Sequence, residues 1–298
     1  MAHEFLSREY KITENALGYF EVSPKPSEDF LSEYYESLYY QDTHGSYSNK
    51  YTEDELKRIE FSNSILLRAV ESCIEGSECL DVGCGEGFLL NQLKAQGCHV
   101  TGLDFSDYGL SVHNTTVLSN FVKGNIYKSV QNLIVKKSQF DVIFINNVLE
   151  HVLEPESLIL SLSKILKING KLVIRVPNDF SDFQLQMKSQ KMFIREYWVN
   201  LPDHLNYFNK ESLTMLVTKF GLQPIKHLAD FPIEFFITND KSNYVKDSTL
   251  GPFAHMSRIF IENYINSFEN KDSVVNFWSS MAEIGLGRNV ISIFTKVK

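Results

Sequence analysis

The sequence predicts an α/β protein built on a doubly wound, seven-stranded sheet, mostly parallel with one antiparallel strand. Three observations predict it. From about residue 76 onward, short apolar strands alternate with amphipathic helices, the order that builds parallel sheets covered on both faces. The run Cys79-Leu80-Asp81-Val82-Gly83 turns through glycines straight into a helix. The run FDVIFINN is apolar almost throughout, the mark of a strand buried on both sides.

Thr52 with Glu55 forms a capping box that opens a helix through Leu56, Ile59, Leu66, Ala69, Val70 and Cys73, which Gly76 is expected to close. The strand CLDVG follows, then a helix through Phe88, Leu89, Leu93 and Ala95 stopped by Gly97. HVTGLDFS, FVKGN and FDVIFINN are the next three strands. Pro155 starts a helix through Leu158, Leu162, Ile165 and Leu166, expected to stop at Asn169-Gly170, and GKLVIRVPN is the fifth strand. Residues 179–208 break the alternation and read as an insertion, helical around Gln184–Lys191. Asn209 caps a helix through Leu213, Leu216, Val217 and Phe220, stopped by Gly221. PIKHLADF and NVISIFTKV are the sixth and seventh strands, with helical material from about His255 to Met281 in a second insertion, 239–287. The first 50 residues carry Tyr10, Tyr19, Tyr34, Tyr35, Tyr39, Tyr40 and Tyr47, broken by Pro24, Pro26 and Gly45. Too irregular for a core of their own, they predict a helical, tyrosine-rich lid over residues 1–75, ahead of a main domain over 76–298.

Composition excludes several classes of function. Hydrophobic residues make up 43% and charged residues 22% of 298, enough apolar surface to bury a large core. A net charge of −8 argues against a nucleic-acid partner, whose affinity basic patches supply. No apolar run approaches the length of a membrane span, and no secretory signal is visible, so a cytoplasmic protein is expected. Cys73, Cys79, Cys84 and Cys98 have neither C-x-x-C spacing nor a zinc-type histidine pair and read as reduced, buried side chains.

The most specific motif is Asp81-Val82-Gly83-Cys84-Gly85-Glu86-Gly87 at a strand-to-helix turn. Glycines let the backbone approach a ligand, and the helix start behind them presents free N–H groups. Asp104, at the end of the next strand, stands where a carboxylate accepts both hydroxyls of a ribose. A dinucleotide or S-adenosylmethionine fits that pair. The dinucleotide fingerprint G-x-G-x-x-G needs glycine at 88, where this chain has Phe88. The actual G-x-G-x-G is preceded by Asp81, which suits an ammonium group and repels a pyrophosphate, so S-adenosylmethionine is the expected cofactor.

The motifs LDVGCGEG, GLDFS and FDVIFINNVLEHVLEP, with the later PDHLNYFNKESLTMLVTKFGL, resemble class I S-adenosylmethionine-dependent methyltransferases, a Rossmann-like family. The likeness is strongest to its small-molecule branch of quinone and sugar methyltransferases. VSPKPSEDFLSEYY and FPIEFF resemble bacterial members associated with polysaccharide biosynthesis. The resemblance implies that Gly83, Cys84 and Gly85 line the methionine part of the cofactor and that Asp81 faces its ammonium. It implies that Asp104 holds the ribose with Phe105 near the adenine, and that Asn146 and Asn147 meet the methionine part through their backbone. Asn125 and Ile126 stand where the family has Asp and an apolar residue; the Asn125 oxygen is expected to accept from the adenine amino group.

Methyl transfer to an alcohol needs a base. His204, in a loop after the fifth strand, is the first candidate, and His151 the second; Asp203 beside His204 is a weak candidate to orient it, since adjacent residues seldom point the same way. Asn146-Asn147 is not the carboxylate cluster of a metal-dependent catechol methyltransferase, so no metal is expected. It also differs from the Asp- or Asn-Pro-Pro-aromatic motif of nucleic-acid amino-methyltransferases. The implied activity is methylation of a small molecule, first a hydroxyl of a sugar or sugar-derived metabolite, second an amine or carbon acceptor on a natural product or quinone precursor. A methyltransferase fold that binds cofactor without turnover is the alternative of another class. A homodimer is left open by the insertions.

Overall fold

Strands β3 (Glu78–Val82), β4 (His99–Asp104), β5 (Phe121–Lys123), β6 (Phe140–Asn146), β7 (Leu166–Pro177), β9 (Leu222–Ala229) and β10 (Asn289–Lys296) form one seven-stranded sheet. Its order is β5-β4-β3-β6-β7-β10-β9. The first five run parallel, and β10 lies antiparallel to both β7 and β9, as the sequence predicts. The computed structural model describes residues 10–27, 30–31 and 50–297; Tyr34, Tyr35, Tyr39, Tyr40, Tyr47 and His44, all in the expected lid, lie outside them.

Both sheet faces are covered because strand residues alternate. Leu80 and Val82 of β3 and Ile143 and Ile145 of β6 bury on one side, against Val130 of α4 (Ile126–Val135), Leu158 and Leu162 of α5 (Pro155–Ile165), and Leu213 and Leu216 of α7 (Lys210–Thr218). Cys79, Val142 and Phe144 bury on the other, against Leu66 and Val70 of α1 (Glu53–Val70), Leu90 and Leu93 of α2 (Phe88–Ala95), and Trp278 of α9 (Lys271–Glu283). The second insertion is therefore sheet-covering material, with α8 (Gly251–Asn266) and α9 stacked on α1.

Three boundaries differ from expectation. The Thr52–Glu55 capping box forms, but α1 ends at Val70, where Glu71 takes the left-handed conformation (φ 57°); Gly76 sits in the turn before β3. α5 ends at Ile165 rather than at Asn169-Gly170. β7 begins at Leu166, because pairing Leu166 with Phe140 of β6 and Lys171 with Thr295 of β10 carries the strand through the expected stop. β1 (Lys11–Glu14) and β2 (Phe20–Ser23) form a hairpin that pairs with β8 (Asn206–Tyr207), a second small sheet absent from the sequence reading. Tyr19 in this hairpin is buried against Phe208, with ring centroids 4.8 Å apart. The 179–208 insertion contributes α6 (Asp182–Ser189), with Phe180, Phe193 and Trp198 buried together with Val22 and Tyr207. α3 (Tyr108–His113) completes the helices used below.

Parallel strands that start together also end together. Asp81, Asp104, Asn146 and Arg175 therefore reach the same carboxyl edge of the sheet, where open α/β sheets hold ligands.

Candidate active site

A cavity of about 950 Å³ opens along that edge. It is lined by Asp81, Gly83, Cys84, Gly85, Asp104, Phe105, Asn125, Ile126, Asn146 and Asn147, and also by His151 and His204.

At one end the loop after β3 is tied to β4. The Gly83 and Cys84 N–H groups both donate to the Leu103 carbonyl (2.7 and 3.0 Å). Gly83 has φ 72°, and a Cβ there would lie 2.2 Å from Val148 Cγ2, so the loop after β6 demands glycine at this point. Asp104 accepts from the Gly85 N–H through Oδ2 (2.9 Å) and from the Ser106 N–H through Oδ1 (3.1 Å). Asp81 is buried and its Oδ1 has no hydrogen-bond partner. Burial, reinforced by the charge of Asp104, pushes its pKa up to about 7. An orphaned, strained carboxyl facing a cavity fits a cationic group such as the ammonium of S-adenosylmethionine. Asn146 Oδ1 is likewise buried without a partner. Burial, with the charges of Asp81 and Asp104, pushes the Cys84 thiol up, so it is an inert wall. Asn125 lines the cavity where the adenine is expected. Its side-chain oxygen also caps α4, accepting from the Lys128 N–H (3.2 Å).

At the other end two chain segments meet. The Leu205 and Asn206 N–H groups donate to the Glu150 carbonyl (2.7 and 3.0 Å), and Asn206 Nδ2 donates to the Val152 carbonyl (2.7 Å). This clamp brings Asp203 to His151. His151 Nδ1 lies 2.8 Å from the Asp203 backbone oxygen and 3.2 Å from Asp203 Oδ1. Asp203 also stands 3.7 Å from Nε2 of its neighbour His204. The two imidazoles meet edge to face, centroids 4.9 Å apart. Burial opposes charge on His151, but the hydrogen bond to Asp203 and the charge of Glu150 overcome it and lift the pKa to about 9. His204 is pushed down to about 3, by burial and then by the His151 charge. Glu150 is fully buried, and desolvation raises it to about 7 against the attraction of His151. The sequence leaves His204 near its ordinary value and ahead of His151. The fold instead makes His204 a neutral, half-buried ring and gives the carboxylate partner to His151.

Glu150, His151 and His204 also offer ligand atoms within 4.8 Å of one another, a donor set able to hold a metal ion. The expectation of no metal looked for a carboxylate cluster at Asn146-Asn147 and missed this one, which exists only once residue 204 folds back on residue 150. A third wall was also missed: Asn63 and Ile59 of α1, Arg175 of β7 and Asn289 of β10. Two signals in the sequence mark it: a single charge inside the apolar run LVIRVP, and an amide in the apolar stripe of α1 between Ile59 and Leu66.

A family model described as a methyltransferase domain matches residues 49–227. Similar proteins of assigned function include a "Ubiquinone biosynthesis O-methyltransferase" of Coxiella burnetii, 28% identical over 205 residues, covering 64% of this chain and 85% of the relative. Another of the same name, from Rickettsia akari, is 36% identical over 101 residues, covering 34% of this chain and 40% of the relative. Among solved structures, a SAM dependent methyltransferase from Archaeoglobus fulgidus superposes with a TM-score of 0.52 at 18% identity, over 91% of this chain and 100% of that one. That likeness is one of fold.

Proposed function

This chain belongs to the methyltransferase domain family, whose model spans more than half of it, and on that premise we propose that it methylates a hydroxyl group of a small molecule. It is an S-adenosylmethionine-dependent enzyme of the small-molecule kind. The finer reading is ours: a sugar or sugar-derived hydroxyl is the first candidate acceptor. A phenolic quinone precursor is the second, favoured by the names of the similar proteins. Those names speak of quinone biosynthesis and lend no support to an association with polysaccharides.

The observation that carries O-methylation is the Asp203–His151 pair beside the cavity. S-adenosylmethionine, when bound, supplies a methyl group already activated on a sulfonium, so the protein's task is to position, exclude water and move one proton. We assign Asp81 to the ammonium, Asp104 to the ribose, Gly83, Cys84, Gly85, Asn146 and Asn147 to the methionine part, and Phe105, Ile126 and the Asn125 region to the adenine. The acceptor proton goes to His151 Nε2. The Asp203 backbone carbonyl holds the other ring nitrogen as a donor (2.8 Å), and the Asp203 carboxylate, 3.2 Å from that nitrogen, stabilises the imidazolium that results. A base lifted to about 9 is largely protonated at pH 7, so competence rises with pH; the same high value makes it strong enough to pull on an alcohol. His204 packs edge to face on that ring as a neutral spacer.

Residues 1–75 are proposed as a cover for the cavity mouth, ahead of the main domain over 76–298. Leu31 reaches the cavity, and the Tyr51 hydroxyl donates to Glu86 (2.7 Å) at the glycine loop.

Incubation with labelled S-adenosylmethionine and a panel of sugars, uronic acids, catechols and amines, read by product mass, tests the reading. Label on oxygen, lost in His151→Ala, is the expected result. Label confined to nitrogen acceptors overturns it.

A further inference from the structure

Behind the cavity, between the sheet and helices α1 and α8, lies a half-buried group of five charged side chains. Arg258 of α8 pairs with Asp230 (2.5 Å) and with Glu262 (2.9 Å). Arg58 of α1 also pairs with Glu262. Asp230 accepts from Asn289 as well, through the backbone N–H (2.7 Å) and Nδ2 (2.5 Å). Arg175, the third cation, projects from β7 toward the same group, attracted by Asp230 and Glu262 and repelled by Arg58 and Arg258. Arg58 and Arg258 thus pair directly with the two carboxylates, with Glu234 adding its attraction on Arg258, while Arg175 pairs directly with neither.

Arg175 is the member of the group that faces the cavity. Among the described residues no carboxylate lies within 4.0 Å of it, and its one side-chain hydrogen bond is from Nη2 to the Ser62 hydroxyl (3.1 Å). Its Nε is buried with no partner. A buried guanidinium without a counter-charge is costly unless something else supplies the charge. Arg175 lines the cavity, beside the amides of Asn63 and Asn289, so a ligand in the cavity can supply it. The planar fork of arginine matches a carboxylate or phosphate with two parallel hydrogen bonds.

We infer that Arg175, with Asn63 and Asn289 beside it, is an anion anchor in the cavity that takes an oxyanion, most simply a carboxylate, of a bound ligand. The inference rests on the methyltransferase reading above and adds a requirement to it. Two ligands can carry the group: the cofactor, through its methionine carboxylate, or the acceptor, as a uronic acid or similar acidic molecule. In either case the neutral alternatives bind less well.

Calorimetry on the full-length protein separates the sources. The wild type and Arg175→Gln are titrated with S-adenosylhomocysteine and with 5′-methylthioadenosine, which lacks the amino-acid end. Each protein, loaded with S-adenosylhomocysteine, is then titrated with galacturonate and with galactose. Arg175→Lys, which keeps the charge but not the fork, is run alongside. A loss of about tenfold or more for S-adenosylhomocysteine, with methylthioadenosine unchanged, places the group on the cofactor. Unchanged cofactor binding, with a preference of wild type for galacturonate over galactose that Arg175→Gln removes and Arg175→Lys partly restores, places it on the acceptor. Unchanged S-adenosylhomocysteine binding with no Arg175-dependent acid preference overturns the inference. Methylthioadenosine binding shows in each case that the variant is folded. A wild type that binds neither adenosyl compound sinks the methyltransferase reading itself, a different outcome.

Discussion

The two ends of the cavity are built in opposite ways. The cofactor end is made from residues close in sequence, Asp81 to Gly87 and Asp104 to Phe105, on adjacent parallel strands. Its geometry is fixed by backbone hydrogen bonds such as those from Gly83 and Cys84 to the Leu103 carbonyl. The acceptor end joins residues more than fifty positions apart, and its chemistry lies in side-chain charges that exist only because the 203–206 segment is clamped onto Glu150. A local site is robust and generic. A site assembled at long range sets pKa values and so carries the individuality of the enzyme.

That contrast can be broken most severely at His151. We expect His151→Ala to lower kcat by about 10²–10⁴-fold while leaving S-adenosylhomocysteine affinity nearly intact. Equal losses in both would move His151 to the cofactor end. At that end, Asp104→Ala should cost roughly 1.5–3 kcal/mol of binding, about 10–150-fold in Kd by calorimetry, since the variant loses both the ribose contact and the brace on Gly85. An unchanged Kd would remove Asp104 from the site.

Protonation sharpens the contrast further. Asp81 titrates near 7 in the free protein, and an ammonium ligand requires it ionised. Below about pH 7, affinity for S-adenosylhomocysteine should fall by up to about tenfold per pH unit, with proton release visible as a dependence of binding heat on buffer. Asp81→Asn should abolish that dependence. At the acceptor end stability and rate respond in opposite directions. His151 is raised above its ordinary value of 6.5, so the stability it adds is fully present below about pH 6.5 and is lost as pH rises through about 9. Over the same interval its base form grows, and kcat should climb. Asp203→Asn should move that climb to lower pH; a pH profile identical to wild type would dissociate Asp203 from the base. The smallest effect is expected at His204. His204→Gln should change kcat by no more than about threefold, because a ring held neutral contributes packing rather than proton transfer. A loss as deep as that of His151→Ala would restore it as the base.

Legibility follows the same division. The seven strands and the glycine loop were readable because periodicity and glycine spacing are local signals. Asp203 was seen in the sequence but set beside His204, its chain neighbour, because nothing local announces that 203 folds against 151. The end of α5 was misread for a related reason: Asn169-Gly170 is a sound local stop, overridden by the ladder that β7 forms with β6 and β10. Arg175 was passed over as one charge in an apolar strand, although a charge in such a place needs a reason.

By itself the sequence determined the sheet, its one antiparallel strand, the turn at Gly83 and the pairing of Asp81 with Asp104 at neighbouring strand ends. These depend on side-chain alternation, on conformations open to glycine and on neighbouring parallel strands ending at one edge of the sheet. Tertiary structure alone decided which histidine meets a carboxylate, which stays neutral, and where Arg175 faces. Burial and charge act through space, and the distances that set them are closed by contacts between segments far apart in the chain.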